Sequence, residues 1–146
     1  MIKIDYKQIL SQFDLAEEAV DVSPFGNGHI NDTLKVTTTS GTAKYILQRI
    51  NHLIFTNVEM LQNNIQIVTS HIRKKMEARN EPDIDRKVLT FLPAKDGKPY
   101  YHDGESYWRV CLMIPDSKSL EEVSPELSFE AGKAFGNFQS MLADIP

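Results

Sequence analysis

The segment of this 146-residue chain that is best suited to ligand chemistry reads Gly26-Asn27-Gly28-His29-Ile30-Asn31-Asp32-Thr33. It lies between two strand-like runs, and its glycines have no Cβ to keep backbone N–H groups away from a phosphate. A strand, a glycine loop and a second strand in this order are typical of kinases, in which the loop covers the nucleotide phosphates. An ordinary hairpin with flexible glycines fits the same spacing, because two glycines alone are a weak signal.

Two other phosphate-binding patterns are excluded by the residues that follow the glycines. A dinucleotide-binding fingerprint needs a third glycine and then a helix, whereas this chain has Asn31 and then a strand-like run rich in Thr and Val. A P-loop needs Gly-Lys-Ser/Thr, and the chain lacks that sequence. The remaining nucleotide hypothesis takes its loop contacts from Gly26, Asn27, Gly28, His29, Asn31 and Thr33.

Two further segments supply candidate nucleotide contacts. Kinases usually place a lysine on the third strand to hold the α- and β-phosphates, but here that strand offers Gln48 or Arg49. Neighbouring strand residues point to opposite faces, so only one of the two faces the nucleotide. Both also fit exposed polar positions of a half-buried strand. At the end of the last strand, Ile114 and Asp116 fall where a hinge would present backbone groups to adenine.

The other reactive side chains form no catalytic or metal-binding pattern. Cys111 is central in a strand-like run and is predicted to be a small core residue. Asp83-Ile84-Asp85 lies in a charge-rich stretch, which favours a solvated loop over a metal site. Glu59 is either the capping partner of Thr56 or a counterpart of the helix-C glutamate of kinases. No metal-ligand spacing relates the histidines His52, His71 and His102. We therefore predict no catalytic residue and no metal ligand.

Hydrophobic periodicity predicts the elements that hold these residues in place. In chain order they are a short helix at 5–13, strands at 20–25, 33–39 and 44–50, a long helix, strands at 88–92, 98–102 and 106–114, and a last helix. The turn signals Ser40-Gly41, Asp96-Gly97 and Asp103-Gly104 separate consecutive strands. The fold class that follows is α+β, an antiparallel meander sheet with a long helix packed on it and a C-terminal linker helix.

The long helix is predicted to begin at a capping box of Thr56 and Glu59 and to end before Asn80-Glu81-Pro82. A single apolar stripe with helical spacing runs along it, made of Val58, Leu61, Ile65, Val68, Ile72 and Met76. The side chains predicted to face away from the sheet are Gln62, Asn63, Gln66, Thr69 and Arg73.

The last helix is predicted to begin with Ser124 as N-cap and Pro125 at its first position. Its apolar face consists of Leu127, Ala131, Ala134, Phe135, Phe138 and Leu142. Gly132 and Gly136 thin another side of the helix, so a second backbone can approach there. We expect Phe135, like Trp108, to be a core anchor.

Composition excludes several classes of function. A net charge of −4 and a pI near 5.5 give no electrostatic footprint for nucleic acid. No apolar run has the length of a membrane span, and the first ten residues lack the apolar stretch of a secretory signal. One cysteine cannot form an internal disulfide. We expect a cytoplasmic protein that binds neither nucleic acid nor membrane.

The chain resembles the N-terminal lobe of the N-acetylhexosamine 1-kinase group, within the aminoglycoside phosphotransferase-like kinases. The matching stretches are 26–33, Tyr45-Ile46-Leu47-Gln48 followed by Asn51, Ile54-Phe55, Val68-Thr69, Trp108-Arg109-Val110 and Ala131-Gly132-Lys133-Ala134-Phe135-Gly136-Asn137-Phe138-Gln139. They follow the family's order over nearly the whole chain, and glutamine at position 48 is what this group shows. The resemblance implies ATP as the nucleotide and phosphorylation of the anomeric hydroxyl of an N-acetylated hexosamine.

The resemblance also implies a division of the chain. Residues 1–116 correspond to the small lobe with its glycine loop and hinge, and residues 117–146 to the linker and helix leading toward a C-terminal lobe. The His-x-Asp loop and the Mg²⁺ ligands of such kinases lie in that lobe, and no His-x-Asp sequence occurs here. We therefore expect a nucleotide-binding but inactive chain, with Mg²⁺ and the amino sugar bound only in a full-length context. The alternative is a non-catalytic interaction module that forms a homodimer through the exposed inter-lobe surface.

Overall fold

The computed structural model describes residues 4–26, 30–116 and 124–146. Within these ranges the chain forms an α+β fold with an antiparallel sheet of six strands and four helices. In chain order the elements are α1 (Tyr6–Leu10), β1 (Ala19–Pro24), β2 (Asp32–Thr38), β3 (Ala43–Ile50), α2 (Val58–Ala78), α3 (Ile84–Lys87), β4 (Phe91–Leu92), β5 (Tyr101–His102), β6 (Tyr107–Leu112) and α4 (Pro125–Leu142).

The sheet is a meander only over its first three strands. Its order is β1-β2-β3-β6-β4, and β5 pairs with β6 beside β4. The last strand therefore returns to the middle of the sheet, where Gln48 of β3 lies opposite Arg109 of β6. The prediction of a simple meander was wrong for this half, because the long apolar strand β6 takes the central position and the two-residue strand β4 takes the edge.

One face of the sheet, here called the α1 face, is largely apolar and packs against α1. Strand alternation places its buried residues at every second position, in agreement with the period-2 pattern of the sequence. The side chains buried there are Leu34, Val36, Tyr45, Leu47, Trp108 and Val110 from the strands, packed against Ile9, Leu10 and Phe13. Trp108 is the anchor that the sequence predicts: it is 1% exposed, and its Nε1 donates to Asp103 Oδ2 at 3.0 Å.

The opposite face, here called the α2 face, carries Thr33, Gln48 and Arg109 in register across three strands. The helix α2 lies over this face. Its N-cap is Asn57, whose Oδ1 accepts from Met60 N at 3.0 Å. The predicted Thr56–Glu59 capping box is therefore wrong, because an asparagine one residue later caps the helix as well as a threonine does.

Three segments that the sequence assigns to strands or loops fold differently. The strand at 88–92 shortens to β4 because Val88 is buried among helices instead. The strand at 98–102 shortens to β5. Asp85, predicted to lie in a solvated loop, is the second residue of the one-turn helix α3 and accepts from Arg73 Nη2 at 2.7 Å. No group of three acidic, His or Cys residues suited to a metal occurs within the described ranges.

Among the described residues, the buried part of helix α4 lies near its C-terminal end. There Met141 is buried in a second apolar cluster with Ile72, Met76 and Val88. Asp144, just after the helix, accepts from His71 Nε2 at 3.0 Å and pairs with Lys75 of α2. This small cluster shares no residue with the core on the α1 face.

The rest of α4 is exposed. Its N-cap is as predicted, whereas the predicted burial of its apolar face is wrong. Ser124 caps the helix as predicted, accepting from Leu127 N at 3.1 Å. Phe135 is not a core anchor, since 69% of it is exposed. A Cβ placed on Gly132 or Gly136 would meet nothing within 4 Å, so the close packing predicted there has no partner in the described part of the chain. None of the described helices is both long and apolar enough to cross a bilayer.

We predict that α4 separates from α2 when Asp144 is protonated. Hydrogen bonds from Lys75 and then from His71 lower the pKa of Asp144 from 3.8 to about 2. Because the folded-state pKa is the lower one, this stabilisation is complete above the unfolded value and is lost as the pH falls through about 2. The Met141 methyl resonance should therefore move toward its random-coil position over that pH range.

Asp144→Asn should move the Met141 resonance in the same direction already at neutral pH. Asp14→Asn removes an exposed carboxylate near α1 and should leave the resonance in place. An Asp144→Asn protein with an unshifted Met141 methyl would show that the ion pairs do not hold the helix.

Candidate functional site

The structure separates the two side chains that the sequence offers as counterparts of the kinase lysine. Gln48 lies on the α2 face, where its Nε2 donates to Thr33 Oγ1 at 3.1 Å. Arg49 lies on the α1 face, where its Nε donates to Asp32 Oδ2 at 2.8 Å and its guanidinium stands 5.7 Å from the Trp108 ring centre. Two predicted site residues, Thr33 and Gln48, are thus in direct contact on one side of the sheet.

A third residue, Arg109, joins Gln48 to the helix. Its Nε donates to Gln48 Oε1 at 2.8 Å, and its Nη1 donates to Gln62 Oε1 at 2.7 Å. Gln62 in turn donates from Nε2 to the carbonyl of Pro99 at 3.2 Å. The guanidinium therefore bridges β3, β6 and α2, and Gln62 ties the same point to the segment before β5.

Gln62 is fully buried, at 0% exposure, which overturns its predicted place on the outer side of α2. The apolar stripe predicts the buried side of the helix from hydrophobicity alone. A half-buried guanidinium, however, needs acceptors, and a glutamine on the inner side of α2 supplies one and has its own amide satisfied by Pro99.

The described hydrogen-bond partners of the Arg109 guanidinium are both neutral glutamine carbonyls. Among the described residues no carboxylate lies within 4.0 Å of it. Burial lowers the pKa of the guanidinium, which remains charged near neutrality because an arginine starts so far above it. The Phe91 ring centre lies 5.2 Å from its central carbon, and this cation–π contact offsets part of the desolvation.

Cys111 lies next along the same face of β6 and is buried, as the sequence predicts. Burial raises the pKa of the thiol to about 11, and the nearby charge of Arg109 acts in the opposite direction. The thiol is therefore protonated near neutral pH and behaves as a small core side chain.

The residues at the two ends of the glycine loop continue the hydrogen bonding of the β1–β2 hairpin. Gly26 adopts a left-handed φ of +80°, and Phe25 N donates to Thr33 O at 3.0 Å. Asn31 Oδ1 accepts from Asn51 N at 2.8 Å, so this predicted site residue holds the end of β3. A hollow of about 340 Å³ on the α1 side is lined by both ends of the loop. The predicted contacts Asn27, Gly28 and His29 lie outside the described residues.

The predicted hinge follows β6 at the other end of the same strand pair. Met113 N donates to Lys44 O at 2.9 Å, and the carbonyl of Pro115 accepts from Arg86. Asp116 is exposed and adopts a left-handed φ of 57°. Leu112, the last residue of β6 before the hinge, lies opposite Tyr45 of β3. Tyr45 precedes Gln48 by three residues, which is about 10 Å along the strand. The hinge and the Thr33–Gln48 pair are thus separated along β3.

Arg109 and Gln62 are not among the site residues predicted from the sequence. The alternation of β6 carries the signal: with Trp108 and Val110 on the α1 face, Arg109 must point toward the long helix. Gln62 follows Val58 by one helical turn and so shares its buried side. No protein-family model matches the chain.

We predict that Gln62→Leu lowers the free energy of unfolding by about 1–3 kcal/mol. The substitution keeps the volume but leaves the Arg109 Nη1 and the Pro99 carbonyl without their partner. Urea unfolding followed by the fluorescence of Trp108, the single tryptophan, measures the change.

Asn63→Leu on the exposed side of the same helix is the matched control, and it should change stability by no more than about 0.5 kcal/mol. Equal stabilities of the Gln62→Leu and Asn63→Leu proteins would mean that the polar contacts of Gln62 contribute nothing.

Proposed function

We propose that this chain is the nucleotide-binding small lobe of an ATP-dependent sugar kinase. The observation that carries the proposal is the contact between Gln48 of the third strand and Thr33, the second residue of β2 and thus just past the glycine loop. Around that contact, a hairpin with a glycine loop, an adjacent third strand and a long helix after it follow the order that the family resemblance leads us to expect.

The nucleotide would lie along β3 on the α2 face. Backbone N–H groups of the glycine loop would meet the phosphates, as in kinases. Gln48 has an amide that can donate to a phosphate oxygen in place of its bond to Thr33. The backbone around Ile114 and Asp116 would meet the adenine edge at the other end of the strand.

The reaction and the acceptor rest on the family resemblance alone. It suggests transfer of the γ-phosphoryl group of ATP to the anomeric hydroxyl of an N-acetylated hexosamine. Phosphoryl transfer needs Mg²⁺ to neutralise the phosphates and a base to orient the nucleophile. Because the 146 residues contain no His-x-Asp sequence, we assign this chain the binding of the nucleotide and not the transfer.

We predict that ATP binds this chain weakly, with a Kd far above the nanomolar range, because one lobe contacts adenine from one side only. In an ¹H–¹⁵N NMR titration, the amides of Gly26, Thr33, Gln48 and Ile114 should shift with a common saturable dependence on ATP. The amide of Gln8 in α1, which covers the opposite face, is the internal control and should not move.

Three results would contradict the proposal. They are shifts confined to α1 and β1, the absence of any saturable shift, and a nanomolar Kd. ATP-dependent phosphorylation of an N-acetylhexosamine by the purified chain would contradict the assignment of binding without transfer.

A second candidate function, an interaction module, is favoured by the exposed apolar side of α4. Phe129 and Phe135 are each 69% exposed, and Phe138 is 45% exposed. Between the first two, Gly132 presents bare backbone with no neighbour in the described chain. A second copy of the chain is the occupant we consider, because a two-fold axis would set Gly132 with its neighbours Phe129 and Phe135 against the same residues of the other copy and let the helices approach closely.

The interaction module predicts a dimer whose dissociation depends on α4. Sedimentation equilibrium should show a monomer–dimer equilibrium, and Phe135→Ser should shift it toward monomer. Leu53→Ser, which changes an 83% exposed apolar residue before α2, is the matched control. A strict monomer at high protein concentration would exclude the dimer.

A further inference from the structure

We propose that Arg109 is the cation that binds the phosphate chain of the nucleotide, in place of the third-strand lysine of other kinases. This inference rests on the proposed function and adds the residue and the chemistry of its anion subsite. The observation behind it is a half-buried guanidinium on the α2 face, in hydrogen-bonding distance of Gln48, whose charge is not neutralised by any described carboxylate.

The charged groups near Gln48 on the α2 face are positive, whereas the net charge of the chain is negative. The chain has 20 acidic and 16 basic residues, yet Arg109 and Lys35 on the α2 face both lie more than 4.0 Å from every described carboxylate. Lys35 lies two residues from Thr33 on the same side of β2. Asp21, the carboxylate of β1 on this face, lies opposite Thr37, farther from Gln48. The surface between the hairpin and α2 thus favours an anion.

The guanidinium has donors left for a ligand. An arginine carries five N–H groups, and the described contacts use one on Nε and one on Nη1. Nη2 makes no hydrogen bond to any described residue. Gln48 and Gln62 fix the plane of the guanidinium without neutralising it, so it is oriented in advance for a forked contact with phosphate oxygens.

The position of Arg109 also accounts for the glutamine on β3. Residues 48 and 109 lie directly opposite each other on neighbouring strands. A lysine at 48 would place two cations about 5 Å apart on one face, which is destabilising. A glutamine instead accepts from the arginine with its carbonyl and keeps an amide for Thr33 or a ligand. The phosphate-binding cation, which kinases usually carry on the third strand, would therefore lie on β6 in this chain.

The test compares two arginines on opposite faces of the same pair of strands. Arg109→Met and Arg49→Met change the net charge equally, but only the first removes the proposed phosphate ligand. The probes are inorganic tripolyphosphate, ATP and adenosine, titrated by isothermal calorimetry and NMR. Arg109→Met should lower the affinities for tripolyphosphate and ATP at least tenfold and leave that for adenosine unchanged. Arg49→Met should change none of them by more than about twofold.

A second variant covers the case in which Arg109→Met does not fold. Gln48→Glu places a carboxylate against the guanidinium and keeps both contacts, because the Thr33 hydroxyl can donate to it. It should lower the tripolyphosphate affinity about tenfold, whereas Gln8→Glu on α1, with the same change of charge, should not.

The outcomes separate this inference from the proposed function. Equal ATP affinity of the wild type and of the Arg109 and Gln48 variants would overturn the phosphate-binding role of Arg109. It would not contradict the proposal that the chain is a nucleotide-binding lobe. Arg109-dependent binding of tripolyphosphate, with no binding of adenosine and no preference for ATP, would support the phosphate-binding role of Arg109. The same result would contradict the proposal that the ligand is an adenine nucleotide. No saturable binding of any probe would overturn both.

Discussion

A guanidinium held between a sheet and a helix must find acceptors from both, and this requirement organises the α2 face. Arg109 bonds to Gln48 on one side and to Gln62 on the other. The two buried apolar clusters lie elsewhere, one on the α1 face and the other among α2, α4 and Val88. Hydrogen bonds to a charged group contribute about 1.5–3 kcal/mol each, and more is lost when one partner is left buried alone.

Directional contacts fix geometry more tightly than apolar ones do, and that determines where the candidate site can lie. Gln62 fits only where Arg109 and the Pro99 carbonyl are both within reach. The register of α2 is thereby tied to Gln48, and Gln48 to Thr33 after the glycine loop. A ligand at the loop end of β3 would meet a surface already ordered by these bonds.

Local patterns in the sequence predicted those parts of the fold that depend on local physics. The hairpin of β1 and β2, the length of α2 and the Ser124 cap follow from alternation, helical spacing and capping chemistry. The burial of Gln62 was not predicted, because hydrophobicity alone assigns a glutamine to the surface and the partner that satisfies it, Arg109, lies 47 residues away. The exposure of Phe135 is similar: an apolar stripe predicts that a surface will be covered, and only the tertiary structure tells whether this chain covers it.

The glutamine at position 48 is also explained by a contact across the sheet, and it differs from the lysine that kinases usually place on their third strand. Considered alone, Gln48 carries no charge and is a poor substitute for a phosphate-binding lysine. Considered with its partner across the sheet, it accepts from and orients a neighbouring arginine that has no carboxylate within 4.0 Å in the part of the chain that the structure describes. Arg109 then supplies the positive charge, and Gln48 supplies the neutral acceptor that orients it. The residue type at each of these two positions therefore depends on the residue directly opposite on the neighbouring strand.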